Sequence, residues 1–336
     1  MRKDRAVWRE IQLFLSGGIE MTSISCAECG KEEEGGGVSL KTCKSCMHAK
    51  YCNATCQRNH WSTHKKDCKQ RAAELRDEVL FKDPPAKEDC PICFLPLPTR
   101  LICCASLPSA TRMSVPIYNL SQANWELADK CMEDYYACCG KSICKGCTYS
   151  FRKSGNIGKC PFCNAAPSRL SLIDRVEKRL AANDASAICM LATYHHQGLE
   201  GAQQDHARAM ELYARSAEAG FCKAYYFLAD IYQKGGDSKK AKFHFEAAAM
   251  AGDEEARYNL GCIEKNSGNS ERAIKHLTIA ASAGCFRAMH TLITFFKKGT
   301  VSKESIDTIL GAYNGSCAEM QSNARDECIR VVTETM

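Results

Sequence analysis

Residues 223–252 read KAYYFLADIYQKGGDSKKAKFHFEAAAMAG, and residues 255–284 read EARYNLGCIEKNSGNSERAIKHLTIAASAG. Aligned, the two share small residues at one step: Ala224 and Ala256, Ala241 and Ala273, and Gly252 and Gly284 are each 32 residues apart. Ala288 carries the step forward, and Ala209 and Gly220 carry it back. A longer version, SAICMLATYHHQGLEGAQQDHARAMELYARSAEAG, occupies 186–220, where LEGAQ lengthens its loop by five residues. A fixed period of this length marks a helical solenoid, because each unit buries its apolar face only against its neighbours. Each unit reads as helix, glycine-containing turn, helix. Asp237 and Ser270 are the expected N-caps of second helices, and the AAxxG ends place alanine at helix crossings and glycine at the stop.

The pattern A-x-x-x-L-A/G, glycine, K/R-A, then A-A/S-x-x-G resembles the Sel-one-like repeat, a relative of the tetratricopeptide repeat. The resemblance implies an all-α solenoid over 174–336 that offers an extended surface to proteins or peptides. AMHTLITFFKKG and SKESIDTILGAYNG form a degenerate fourth unit, and a helix at about 316–332 is expected to close the stack. The six cysteines of this half, Cys189, Cys222, Cys262, Cys285, Cys317 and Cys328, read as packed or idle thiols, and His195–His196 as a loop edge.

The other half has a different texture. Of 24 cysteines, eighteen fall between Cys26 and Cys163. Residues 1–25 form an N-terminal arm without the features of a secretory leader, and no run approaches the ~20 apolar residues of a membrane span. A disulfide scaffold is therefore disfavoured against metal-bound thiolates in a reducing, intracellular setting, cytoplasmic and/or nuclear. The formal charge of +6 points weakly to nucleic acid. Four zinc ions and fifteen thiolates would bring it to about −1, so a nucleic-acid partner is not expected.

In residues 26–68 the candidate ligands are Cys26, Cys29, Cys43, Cys46, Cys52, Cys56, His64 and Cys68. CxxC pairs reach one metal from a tight knuckle, and CxxxC or HxxxC pairs reach it from successive helical turns. Eight ligands make two closed tetrahedral sites, hence structural zinc. His48 and His60 compete for the single histidine position. YCNATCQRNHWSTHKKDC, with Trp61 before the last two ligands, resembles the second half of a MYND finger. That resemblance selects His64, leaves His60 as a surface residue, and implies interleaved sites: Cys26, Cys29, Cys52 and Cys56 on one zinc, Cys43, Cys46, His64 and Cys68 on the other. It also implies short peptide partners.

After a linker at 69–87 with a short charged helix at 71–82, residues 88–166 open with DCPICFLPLP and close with GKCPFC. Cys90, Cys93, Cys138, Cys139, Cys144, Cys147, Cys160 and Cys163 run in RING-like order, with a long insert at 99–137 that holds Cys103, Cys104 and an expected helix around 121–135. ACCGKSICKGC (137–147) carries Lys141 where a RING has histidine, and a lysine that keeps its proton is a poor ligand. The segment resembles all-cysteine RING variants. Cross-bracing then gives Cys90, Cys93, Cys144 and Cys147 one zinc, and Cys138, Cys139, Cys160 and Cys163 the other. Cys131 remains a rival to Cys138, since adjacent cysteines on one metal strain the backbone.

The resemblance further implies a docking surface for a ubiquitin-conjugating enzyme at Ile92 and Pro161. Asn164 stands where active ligases often carry a cation. No catalytic residue is identified, since a RING only positions its reactants. Two functions stay open: a zinc-dependent interaction adaptor, and a ubiquitin ligase whose repeats select substrate. The fold expected is small zinc-stabilised α+β modules followed by an all-α helical-repeat solenoid, with four zinc ions in all.

Overall fold

The computed structural model describes residues 25–32, 39–97, 133–165 and 171–334. The N-terminal arm through residue 24, the insert from 98 to 132 with Cys103, Cys104 and Cys131, and the loop 33–38 lie outside them. The chain forms two compact units that divide between Lys82 and Asp83.

The first unit is built around a two-stranded antiparallel ribbon, β1 (Lys41–Thr42) and β2 (Lys50–Tyr51), with Lys41 opposite Tyr51. A helix of 27 residues follows, α1 (Ala54–Leu80). Asn53 caps it by accepting from the Cys56 amide at 2.9 Å. The charged helix expected at 71–82 is thus the continuation of the helix that carries the last ligands, because nothing between Cys68 and Leu80 breaks it. The unit's core is small: Leu40, Ala49 and Tyr51 pack among the cysteines. Such a core buries too little apolar surface to fold without metal.

The second unit begins with a knuckle at 90–93 and a ribbon, β3 (Glu133–Tyr136) and β4 (Lys141–Cys144), paired Glu133 to Cys144 and Tyr136 to Lys141. The helix expected around 121–135 therefore does not include residues 133–135. The short α2 (Lys145–Lys153) follows directly, capped by the Cys144 sulfur accepting from the Cys147 amide.

The helical region then runs α3 (Leu172–Leu180), α4 (Ala185–Gln197), α5 (His206–Glu218), α6 (Cys222–Lys234), α7 (Ser238–Met250), α8 (Glu254–Asn266), α9 (Ser270–Ser282), α10 (Phe286–Lys297), α11 (Lys303–Glu319) and α12 (Asn323–Glu334). The 32-residue period is visible in the backbone. Gly220, Gly252 and Gly284 each adopt φ near +90°, and the two amides at each glycine return to the last turn as a Schellman motif. At the shared small position, a Cβ on Gly261 would lie 2.8 Å from the Leu277 side chain, so α8 and α9 approach where a bulkier residue is excluded.

Asp237 caps α7 as expected, accepting from the Lys240 amide. Asn269, not Ser270, is the N-cap residue of α9; Ser270 is its first helical residue. The closing helix starts at Asn323 rather than about 316, because α11 continues through Gly311 and Gly315, where the surroundings are open. Apolar clusters among the described residues include one centred on α4–α6 with Ala137 and Val176 and another on α9–α11 with Ile329 of α12, while Phe245 and Leu260 are buried in α7 and α8 between them.

The RING-like segment is not a bead beside the solenoid; it is packed on it. The Tyr135 hydroxyl donates to Asp184 at 2.8 Å, and Lys223 pairs with Glu133 at 2.9 Å. Pro85 lies against Gly252, and the Lys87 ammonium donates to the Ala283 carbonyl at 2.9 Å and pairs with Glu254. At the far end α12 lies on α2 so closely that a Cβ on Gly146 would sit 2.7 Å from the Arg325 backbone.

Candidate metal centres

Four CxxC knuckles share one backbone design. After each second cysteine the chain takes left-handed φ, at Gly30 (+72°), Met47 (+54°), Phe94 (+54°) and Asn164 (+53°). That residue's amide returns to the carbonyl of the first cysteine, at 2.8, 2.9, 2.8 and 2.9 Å. The turn aims both sulfurs at one point. Asn164 is at home in this conformation, whereas Met47 and Phe94 accept a conformational cost.

The sixteen sequence-predicted donors converge in four groups: Cys26, Cys29, Cys52 and Cys56; Cys43, Cys46, His64 and Cys68; Cys90, Cys93, Cys144 and Cys147; Cys138, Cys139, Cys160 and Cys163. In each group the ligand atoms lie within 4.8 Å of one another. A tetrahedron with metal–sulfur bonds of about 2.3 Å has edges of about 3.8 Å. The sulfur pairs match that edge: Cys29–Cys52 3.6 Å, Cys43–Cys68 3.7 Å, Cys90–Cys147 3.9 Å, Cys93–Cys144 3.9 Å and Cys139–Cys160 3.7 Å. Cys46 Sγ to His64 Nε2 is 3.4 Å, shorter as nitrogen requires. The donor sets fit zinc in chemistry and size, and each is complete without a solvent ligand. Zinc would supply cross-links here, with no open position for reaction.

Electrostatics within the groups favour one thiolate each. Burial pushes the Cys26 thiol up, but amides of Cys29, Cys52 and Glu28 overcome it and hold it at about 6. Cys90 and Cys160 are likewise pushed up by burial yet sit at about 7, Cys90 through the amides of Cys144, Cys93 and Ile92, and Cys160 through those of Cys163 and Phe162. Further ionisation is resisted: Cys56 is pushed up to about 12 chiefly by its hydrogen bond with Cys52, and Cys68 to about 12 by burial, the Cys43 hydrogen bond and repulsion from Cys43 and Cys46. A divalent cation at the centre removes that repulsion.

Lys141 points away from the donor groups, onto a ring. It is exposed, with its ammonium 4.5 Å from the centroid of the Phe162 ring. Cys138 and Cys139 both reach the fourth group because Gly140, at φ +72°, turns the chain tightly, its amide donating to Tyr136. His60 is not a plain surface residue. It hydrogen-bonds the buried Tyr51 hydroxyl at 3.0 Å and stacks on His64, ring centroids 5.5 Å apart. Their i, i+4 spacing on α1 was the available signal.

Sequence reasoning also missed Arg325. It is 2 % exposed, and its guanidinium donates to Cys93 Sγ (3.4 Å) and to the carbonyls of Leu95 (3.2 Å), Pro96 (2.9 Å) and Met320 (2.7 Å). A cation on the last helix thus supports a ligand more than two hundred residues away. Elsewhere, His195 and His196 form no group with cysteine or acid among the described residues. Cys189, Cys285 and Cys328 are buried thiols, and Cys317 is packed in the cluster of α9–α11.

Residues 26–68 match the family model of the MYND finger, and residues 185–221, 222–253 and 255–285 each match that of the Sel1 repeat. Among curated proteins, none matches the chain. Similar solved structures include a Sel1 repeat protein from Oxalobacter formigenes (22 % identity, 52 % of this chain, 71 % of that one, TM-score 0.41). A protective antigen of uropathogenic Escherichia coli with an SLR fold is 19 % identical over 55 % of this chain and 43 % of that one, TM-score 0.36. An immunity protein from Pseudomonas aeruginosa is 15 % identical over 53 % and 84 %, TM-score 0.29. The chain therefore carries a MYND finger and three Sel1 repeats, and its cysteine clusters suggest zinc binding. The RING-like character of residues 88–166 rests on two cysteine clusters alone.

Proposed function

We propose that this protein is a zinc-dependent interaction adaptor, in which the MYND finger and the repeats each recruit a protein partner. The observation that carries this reading is the closure of all four donor groups. Metals held by four protein ligands build surfaces, and a solenoid extends one. Four zinc ions per chain are expected. Reduced thiolates in such number fit a cytoplasmic or nuclear setting; among the described residues no helix is long and apolar enough to cross a membrane. The test is crosslinking of the full chain in cells, compared with His64→Ala and with a charge-reversed repeat surface. Adaptor function predicts that each variant loses a different subset of partners. Identical partner sets for all three would refute it.

A second reading, ligase activity or a ligase subunit, is favoured by the exposure of Ile92 (39 %) and Phe94 (77 %) on the first knuckle of the RING-like segment. A bulky residue held at φ +54° and turned to solvent suits a contact surface. Asn164 counts against it, as does the placement of α12 and Arg325 beside the same knuckle. Autoubiquitination with a panel of conjugating enzymes, with Ile92→Ala as control, decides: no product with any enzyme sinks this reading and leaves the adaptor standing.

A further inference from the structure

A cleft of about 630 Å³ opens between the fourth cysteine group and helix α3. Its size lies in the range of binding pockets, about 300–1,000 Å³. Its charged lining is lopsided: Arg152, Lys159, Arg175, Lys178 and Arg179 face it, with Asp134 as the only carboxylate among the described residues. Three separate segments supply these cations, the end of α2, the loop before Cys160 and one face of α3, where 175, 178 and 179 share the i, i+3, i+4 stripe.

Several cations elsewhere in the unit have carboxylate partners: Lys153 with Glu327 at 2.6 Å, Lys223 with Glu133, Lys242 with Glu264 and Arg287 with Glu255. In the cleft only Arg179 does, bound to Asp184 at 2.8 Å. Among the described residues Arg152, Lys159, Arg175 and Lys178 form no ion pair. Two ordinary explanations fall short. Cations in a last helical turn complement the helix dipole, which accounts for their sign but not for their convergence. A four-thiolate zinc site carries a net charge of −2 and could use counter-ions. Yet none of the four donates a hydrogen bond to a sulfur, whereas Arg325 does so at the other site of the same segment.

We infer that this cleft is a binding site for an acidic segment of a partner protein, with carboxylate or phosphate side chains meeting Arg152, Lys159, Arg175 and Lys178. Nucleic acid fits less well, since the positive surface is a cleft rather than a stripe. Its two tyrosines are not free to stack bases: Tyr135 is bonded to Asp184, and Tyr136 lies within 3.5 Å of the Thr148 hydroxyl. The inference rests on the adaptor reading and specifies one of its partner surfaces.

The test uses the zinc-loaded full chain and fluorescence anisotropy with four labelled probes: hexaglutamate, a hexapeptide bearing two phosphoserines, hexalysine and hexathymidylate. The acidic peptides bind saturably, more weakly as salt rises from 50 to 200 mM, and hexalysine does not bind. Arg175→Glu with Lys178→Glu lowers affinity at least tenfold. Arg175→Gln with Lys178→Gln lowers it at least threefold and covers the case in which reversal disturbs folding. Lys239→Glu with Lys265→Glu, the same charge change on exposed sites of other helices, leaves it within twofold. Preference between the two acidic peptides assigns a phosphorylated or a plain acidic partner, and either supports the site. Equal loss in the control pair, equally tight hexathymidylate, or no saturable peptide binding overturns it. Partner capture that persists through the finger in that event refutes the cleft and not the adaptor.

Discussion

The two cysteine-rich segments present the same kind of four-donor groups and differ in what holds the protein around them. In the first, residues 26–68, knuckles, ribbon and ligand helix belong to one small unit, and the neighbours of its ligands are its own residues: Asn53, Tyr51 and His60. In the second, residues 88–166, the ligands are shared out to a much larger body. Arg325 of α12 holds Cys93, Gly146 of α2 meets the backbone of α12, and Ala137 sits in the same apolar cluster as α4 and α5. A four-cysteine site stabilises whatever its ligands are tied to. In one case that is about forty residues; in the other it is a ribbon, a helix and both ends of a solenoid.

Breaking a ligand in each segment should expose this difference most strongly. Structural zinc carries on the order of 10–16 kcal/mol of apparent folding free energy. Cys144→Ser is expected to lower the thermal midpoint of the solenoid as well as its own segment, while Cys43→Ser abolishes the finger's structure and leaves the helical transition in place. Circular dichroism at 222 nm with zinc quantified on both variants checks this.

Arg325→Ala comes next. It leaves a ligand sulfur and the carbonyls of Leu95, Pro96 and Met320 without their donor, a loss of about 3–5 kcal/mol. Zinc release to a chromogenic chelator should speed up for one pair of ions and not the other, and denaturant titration gives the stability change. Arg325→Lys keeps the charge without the fork and should fall between.

Gly146→Ala sharpens the contact itself. A methyl 2.7 Å from the Arg325 backbone forces α2 and α12 apart, at a cost of about 1–3 kcal/mol. The matching change at Gly30 in the first segment meets open space, so any cost there comes from its φ of +72° alone.

The smallest effect is a pH dependence confined to the second unit. Asp253, N-cap of α8, is pushed up to about 7 by burial and by Glu254 and Glu255, against the Ala256 amide and Lys223. The folded chain therefore holds this proton more tightly than the unfolded chain, and stability falls as pH rises from about 4 towards 7. Between pH 5.5 and 7.5, where the thiolate sites stay loaded, the midpoint should decline by a few degrees relative to Asp253→Asn, which keeps a cap acceptor and loses the titration.

Much of this was legible in the linear sequence because it is written in short spacings. CxxC, CxxxC and HxxxC encode knuckle and helical turn directly, and the 32-residue step encodes the Schellman glycines. The pairing of Cys138 with Cys139 was legible too once Gly140 is read as the turn that permits it. What stayed hidden depends on contacts between distant segments. Nothing near Arg325 in sequence hints at Cys93, and nothing in EDYY at 133–136 announces that Tyr135 will bond Asp184. The docking of the second segment on the repeats is therefore a property of the folded chain alone. Local misses have local causes: Asn269 and Ser270 are both competent caps, and the helix of 27 residues passes a boundary that ligand spacing suggested.

Hydrogen exchange of α12 in the full chain tests the central claim most directly, since it reads the local stability of the helix that Arg325 belongs to. With Cys144→Ser the amides of 323–334 should lose protection by at least tenfold, and with Cys43→Ser they should be unchanged. Protection of α12 that is untouched by Cys144→Ser, or lowered equally by both variants, would contradict the account.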